Sequence, residues 1–518
     1  AIARHLAAEQ NDVTVIDADP DKIQRIIEVA DVGAVTGVAS HPDMLEQAGM
    51  ADAKLLIAVT ESDEINMVAC QVAYTIFQTP TRIARIRSRA YLDPGVKSLY
   101  GPEHLPIDHI ISPEVEVSAA AARQLQLPGA FDVKDMVKGK IRLIGVLCRE
   151  NCPILATPIR HLTSLFPGLS MTIIAIIRGN EVIVPRDGTD MMRPEDRVYF
   201  VCDAEHTERA MASFGHTEKE AHSVVIAGGG NIGSLLAQDI EANSSNTVCH
   251  VIEKDKGQAR LIAEKLQQTA VTCGNSLEAD ILTEAGVGGT DTFVAVSNDD
   301  EVNILSALLA KRMGARHTVA LVNMPQFVPL ISALGVDAVI SPPMITVSSI
   351  LEHVRRGRIL DVHSVVEELG EVLEAEALPT SPLVGMPLRK ARIPKGVAIG
   401  AILRLNEVIP ARGDTVVEAG DHLVLFAAQG KAARAEAILS DSNSEFAITL
   451  KLVVKDLIAE GKTEAEIYNF LADKYGDWIL YKPRMSQGNI ALWIIPYLAL
   501  IIGGFFIIIF LKKRPKKK

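Results

Sequence analysis

Residues 223–233 read SVVIAGGGNIG, and their order decides the fold of the region around them. Ser223 to Ala227 has the pattern of a short buried strand and leads straight into Gly228, Gly230 and Gly233, spaced GxGxxG, after which Ser234 to Ile240 carries a helical pattern. Glu253 follows Gly233 by about 20 residues, the distance at which such a site places its acid. Strand, glycine turn, helix and carboxylate in that order make a dinucleotide site. The glycines allow a tight turn and close approach of backbone to a pyrophosphate, and the helix N-terminus supplies unpaired N–H groups with partial positive charge. Glu253 is placed to accept hydrogen bonds from ribose hydroxyls, which favours NAD(H) over a 2′-phosphorylated cofactor. Ser297 and Asn298 sit at the carboxyl end of the strand pattern Thr292 to Val296, where ligands of open α/β sheets bind.

Outward from this motif the chain repeats itself. TVID at Thr14 to Asp17 has its counterpart in VIE at Val251 to Glu253, and LLIAVTESDEIN at Leu55 to Asn66 matches TFVAVSNDDEVN at Thr292 to Asn303 at nearly the same offset. A second kind of unit also recurs: GNEVIVPRDGT at Gly179 to Thr189 resembles LNEVIPARGDT at Leu405 to Thr415. The expected fold is therefore α/β, with tandem Rossmann-like, doubly wound parallel-sheet domains alternating with small α+β domains. The boundaries read as 1–128, 129–215, 219–358 and 359–440, followed by a helical segment at 441–489 and one transmembrane helix at 490–511.

The first half tests the motif. Counting back the same interval of about 20 residues from Asp17 places its third glycine before Ala1, and Ile2 to Ala8 reads like the middle of an amphipathic helix. Half a site is expected there: Asp17 for a ribose, with Thr60, Glu61 and Arg85 at or just past strand ends facing the same crevice. Without a glycine loop this copy should bind nucleotide poorly, and ordinary loop polarity accounts for these residues equally well.

Composition narrows the function. A chain of 518 residues with 48% hydrophobic and 22% charged residues holds several packed domains and is not disordered throughout. Only 4% is aromatic and the net charge is −12, which argues against aromatic nucleic-acid platforms and against non-specific DNA binding. The six cysteines are scattered without a CxxC, suiting a reducing compartment. Cys148 and Cys152 form CxxxC without histidines at ligand spacing, so a pair of partly buried thiols is expected and no metal is assigned. No GxSxG and no hydride-transfer constellation is present. The bound cofactor then acts as a ligand of a sensor rather than as a reagent; an NAD-dependent oxidoreductase is the enzymatic alternative.

The tail has its own pattern. Leu450 to Gly461 and Thr463 to about Tyr475 read as helices. Ile490 to Leu511 is a long uncharged apolar run, with Trp493 and Tyr497 suited to an interface and a basic stretch from Lys512 onward. Such a run is long enough to span a bilayer core of about 30 Å.

These residues carry two family resemblances. GGGNIG at Gly228 to Gly233, SNDDEVNILSALLAKRMGA from Ser297, SHPDMLEQAG from Ser40 and TESDEINMVACQVAY from Thr60 resemble the TrkA family, the peripheral cytoplasmic subunits of bacterial Trk potassium uptake systems, built from tandem regulator-of-potassium-conductance (RCK) units. The resemblance implies binding of NAD(H) or of adenine nucleotides such as ATP and ADP, assembly as a homo-oligomeric ring, and a TrkH-type membrane channel as partner, with no catalysis. It carries Asp17, Thr60, Glu61 and Arg85 onto a first nucleotide site, and Gly228, Gly230, Asn231, Ile232, Gly233 and Glu253 onto a second. NMPQ at Asn323 to Gln326 lacks a basic residue like Arg85. In the tail, LKLVVKDLIAEGKTEAEIYNFLADKYGDWILYKP resembles the CcmH/CycL cytochrome c maturation family, whose redox chemistry needs a CxxC that is absent here. One membrane crossing would put KKRPKKK outside the cytoplasm, contrary to the usual Lys/Arg bias. Three readings of the join stay open: a product of two truncated reading frames, a natural fusion whose tail tethers the ring, or a re-entrant hairpin.

Overall fold

The second half is built on a parallel sheet of six strands in the order Ala270–Cys273, Val248–Glu253, Ser223–Ala227, Thr292–Ala295, His317–Leu321, Ala338–Ile340. Strands covered on both faces should be apolar without alternation. Val224 to Ala227 and Phe293 to Ala295 are indeed buried throughout. The central strand pairs Val224 with Cys249 on one side and with Thr292 on the other. The chain order reverses at this strand, which makes its carboxyl end the switch point where a ligand crevice opens.

The structure is a computed structural model that describes residues 2–8, 11–244, 246–324, 327–354, 359–365 and 369–439, together with positions 462, 467 and 470. The tail helices expected at 450–461 and 463–475 and the apolar span at 490–511 lie outside the described residues. Among the described residues no helix is long and apolar enough to cross a membrane. The chain divides into two units, Ala1–Asp441 and Ser442–Lys518, and among the described residues every sheet belongs to the first.

The first half forms two separate parallel sheets where the repeat led us to expect one. Thr14–Asp17 pairs with Gly33–Thr36, and Leu55–Ala58, Thr81–Arg85 and His109–Ile111 form a three-stranded sheet. The reason is visible in the second half, where the counterparts of Thr14–Asp17 and Leu55–Ala58 do not pair with each other. They are bridged by Ser223–Ala227, and the described residues hold no copy of that strand in the first half.

Two helices cross between the halves. Helix Pro113–Gln126 begins with proline at its first turn, where the missing N–H costs nothing, and places Val117, Ala121 and Leu125 on one face at fourfold spacing. Those side chains pack with Val224, Ile226, Leu236 and Ile240 of the second half. In return, helix Pro342–Val354 inserts Ile350 against Ile83 and Ile111 of the first half. Each half is thus covered by a helix that the other half's repeat unit supplies. Burying side chains of this size stabilises by about 1.5–3 kcal/mol each.

Each small unit is a five-stranded sheet with antiparallel pairings: Asp132–Met136, Ile141–Leu147, Arg197–Asp203, Met171–Arg178, Glu181–Ile183 in one, and Ile359–Ser364, Gly370–Glu376, His422–Ala428, Val397–Arg404, Glu407–Pro410 in the other. Their inner faces stack through Ile174, Tyr199, Val201, Val372, Val424 and Phe426. The approach is close enough that a Cβ at Gly400 would stand 2.5 Å from Val201 Cγ2. The repeat extends to an ion pair on a buried aspartate: the partly exposed Arg178 donates to both oxygens of Asp196, and Arg404 to both of Asp421, at 2.7–2.8 Å.

Candidate nucleotide site

The glycine turn is built as its spacing predicts. Gly228 ends the central strand at φ +111°, a left-handed conformation that a side chain resists, and a Cβ there would stand 2.9 Å from the Ser297 backbone nitrogen. Gly233 lies in the first turn of helix Asn231–Asn243, where a Cβ would run into the Gly228 carbonyl oxygen. Gly230 caps that helix, and a Cβ at Gly230 meets nothing within 4 Å. Open space over the helix N-terminus is where a phosphate would sit. Asn231 is exposed beside it, whereas Ile232 is half-buried against the core of the second half and serves packing.

Glu253 closes the turn from the neighbouring strand. Its Oε2 accepts the Gly229 N–H at 2.7 Å and its Oε1 accepts the Asp255 N–H at 2.8 Å, while Gln258 Nε2 donates to the Gly229 carbonyl at 2.8 Å. The carboxylate therefore sits at the glycine loop itself, within reach of a nucleotide laid along it. Ser297 and Asn298 form the opposite rim; Ser297 is half-buried and Asn298 exposed. The structure thus brings Gly228, Gly230, Gly233, Glu253 and Ser297 to one crevice.

What shapes that rim is a pair of buried residues that motif matching passed over. Asn303, 1% exposed, accepts the Ser297 N–H at 2.8 Å and donates to the carbonyls of Ser297 and Leu321 at 2.9 and 3.0 Å. It ties the ends of two adjacent strands together. Asp300, also buried, accepts the backbone N–H groups of Asn323 and Met324 at 2.9 and 3.0 Å. The exposed Asp299 caps the helix that carries both, and the Val302 N–H holds its carboxyl below the ordinary range. The signal was present in the repeat, because DEIN at Asp63 to Asn66 recurs as DEVN at Asp300 to Asn303.

In the first half the same latch is intact. Asn66 Oδ1 accepts from Thr60 N at 2.8 Å, Asn66 Nδ2 donates to the Arg85 carbonyl at 2.9 Å, and Asp63 accepts the N–H groups of Arg87 and Ser88. Thr60 and Arg85 are joined directly, the Arg85 guanidinium donating to the Thr60 carbonyl at 2.8 Å. Burial, and next the nearby Arg87, lower the Arg85 pKa, and its Nε has no partner among the described residues. Glu61 is exposed. Asp17 accepts the Asp19 N–H at 2.9 Å, as Glu253 accepts that of Asp255, but it lies on the other sheet. The latch also corrects one expectation. The position matching Arg85 is not in NMPQ but at Leu321, since Asn66 and Asn303 bond the carbonyls of Arg85 and Leu321.

Cys148 and Cys152 are both buried, and the neighbouring Cys148 thiol draws the Cys152 value down to about 7. Among the described residues no group of histidine, cysteine and carboxylate side chains could hold a metal ion.

Comparison with known proteins bears on the family and the fold. The TrkA-N domain family model matches residues 1–113 and 224–342, the TrkA-C domain model matches 143–215 and 372–440, and the cytochrome C biogenesis protein model CcmH matches 435–518. The Trk system potassium uptake protein TrkA of Azorhizobium caulinodans is 48% identical over 426 residues, 82% of this chain and 93% of that protein. That of Halomonas elongata is 39% identical over 428 residues, 82% of this chain and 92% of that protein. Among solved structures, the GsuK RCK domain superposes with a TM-score of 0.52 at 16% identity, covering 85% of this chain and 92% of that one. The GsuK channel bound to NAD gives 0.51 at 17% identity, covering 84% and 75%; both likenesses speak to the fold. With its repeated TrkA-N and TrkA-C domains and a CcmH-like tail, this chain belongs to the TrkA family of Trk system potassium uptake proteins.

Proposed function

We propose that the chain is a nucleotide-sensing regulatory subunit of a Trk-type potassium uptake system, and that it binds NAD(H), or the adenine nucleotides ATP and ADP, in the second half. The observation that carries this reading is the glycine turn at the switch point, open above Gly230 and bordered by Glu253 and Ser297. Gly228, Gly230, Asn231 and Gly233 would hold the pyrophosphate, Glu253 a ribose, and Ser297 and Asn298 the far edge. In the first half Asp17, Thr60, Glu61 and Arg85 would offer a ribose acceptor and a cation. Binding that favours one arrangement of a homo-oligomeric ring would bias a TrkH-type channel through a shift in population, and a tenfold shift needs only ~1.4 kcal/mol of differential affinity. No bond is made or broken. The span at 490–511 would hold the ring at the cytoplasmic face of the membrane.

Calorimetry of the full chain tests the site. Gly230→Asp sets a carboxylate in the open space above the helix N-terminus, so NADH affinity should fall more than 100-fold while the folded state persists; unchanged affinity sinks the assignment. A second reading, a cytochrome maturation role for the tail, is favoured by the CcmH match, yet no cysteine follows Cys273 to carry thiol chemistry. Steady oxidation of NADH with a substrate would instead revive the oxidoreductase reading.

A further inference from the structure

The two small sheets meet along a pair of strands related by the internal repeat. Asp132 opposes Gly145 and Asp361 opposes Glu374 in their own sheets, and Gly145 and Glu374 stand as far apart along the chain as Asp132 and Asp361 do. By the same register Lys134 corresponds to His363. Both pairs reach across the joint: Lys134 Nζ lies 3.1 Å from Asp361 Oδ2, and His363 Nε2 lies 2.9 Å from Asp132 Oδ2. One cross-joint contact is thus a lysine–carboxylate pair, whereas its mate sets a carboxylate against an imidazole, an ion pair only when the ring carries its second proton.

We infer that the Asp132–His363 contact is a proton-held clasp between the two small sheets, tight when His363 is protonated and loosened when that proton is lost. The surroundings favour that sense. Burial pushes the Asp132 carboxyl up, but His363, a hydrogen bond from the Tyr199 hydroxyl at 2.9 Å and Arg123 together pull it below the ordinary range, so it stays a carboxylate. From the helix Pro113–Gln126 come Glu116 and Arg123; Glu116 accepts from Ser349 at 2.9 Å. From Pro342–Val354 comes Glu352, whose carboxyl is held up to about 7 first by burial and then by Asp361, with Glu116 and Glu374 adding and Lys134 opposing. A carboxyl raised in the folded state contributes stability below its unfolded value and loses it as pH rises through about 7. Loss of the His363 proton would remove a positive charge from the joint, and ionisation of Glu352 adds a negative one near Asp361, Glu116 and Glu374. Both changes strain the same joint.

Hydrogen exchange of the full chain at about pH 6 and about pH 8, corrected for the intrinsic pH dependence of exchange, reads the clasp directly in peptides covering 130–147 and 359–376. The expected result is a roughly tenfold loss of protection at the higher pH, the change that one pK unit of coupling supplies. His363→Gln, which keeps a donor but cannot titrate, should remove most of that pH dependence, and Glu352→Gln should reduce it. Lys134→Met should lower protection at both pH values. Unchanged native protection, or a full pH response retained in His363→Gln, overturns the proposal. Should His363→Gln fail to fold, judged by peptides over Ser223–Ala227, the native profile and Glu352→Gln decide.

Discussion

The two nucleotide halves share a latch and differ in what the latch faces. In both, a buried asparagine and aspartate on one helix tie the ends of adjacent strands and fix the crevice rim: Asn66 with Asp63, and Asn303 with Asp300. In the second half that rim faces a glycine turn held by Glu253; in the first half the corresponding strand and turn are not among the described residues, and an arginine occupies the place of Leu321. The comparison separates scaffold from site. The rim is a folding element present in both halves, whereas the proposed site depends on the glycine turn and its carboxylate.

The sharpest way to break this comparison is to remove the latch in each half. Asn303→Ala orphans the Ser297 N–H and the Leu321 carbonyl in the interior and should cost about 2–4 kcal/mol of stability, at roughly 1–3 kcal/mol for each unsatisfied buried group. Asn66→Ala should cost a similar amount if the latch is scaffold. Urea melts of both variants check this, and a much smaller loss for Asn66→Ala would show that the first half's rim is not held as its geometry indicates. A middle-sized effect tests the carboxylate. Glu253→Gln preserves shape but offers the ribose a weaker acceptor, so NADH affinity should fall about tenfold, close to ~1.4 kcal/mol, while the selectivity against NADPH narrows. Titration calorimetry with both cofactors reads the two affinities, and an unchanged ratio would remove Glu253 from the ribose. The smallest effect is expected at Arg85→Leu, which installs the second half's residue. It loses one hydrogen bond to the Thr60 carbonyl and the burial of an incompletely partnered cation, terms that oppose each other, so thermal unfolding should move by less than about 1 kcal/mol. NADH binding in the second half should stay unchanged.

The sequence made the second half's sheet legible because glycine spacing is a backbone requirement: Gly228 and Gly233 each occupy places where a Cβ collides with main chain. The repeat offsets likewise placed Asp17 opposite Glu253 and Thr60 opposite Ser297. Less was legible where the physics is long-range. Asn303 and Asp300 read as ordinary residues of a helix start, since nothing local says which carbonyls and N–H groups they will meet across the sheet. The repeat offset alone points past the strand, towards NMPQ, because the second half is one residue shorter between the matched strands, and the strand registers assign the counterpart of Arg85 to Leu321. Helix exchange and the stacking of the small sheets depend on which apolar faces find each other, and amphipathic patterns state that a face is sticky without naming its partner.

The exchange of crossover helices also bears on how such a molecule can change over generations. Two identical chains that trade helices must accept every substitution twice, once on each side of their shared axis, so a residue useful at one joint is imposed on the other. A single polypeptide with both copies in series is released from that rule. Lysine at position 134 and histidine at 363, arginine at 85 and leucine at 321, are what that release permits: equivalent places that each answer to their own surroundings.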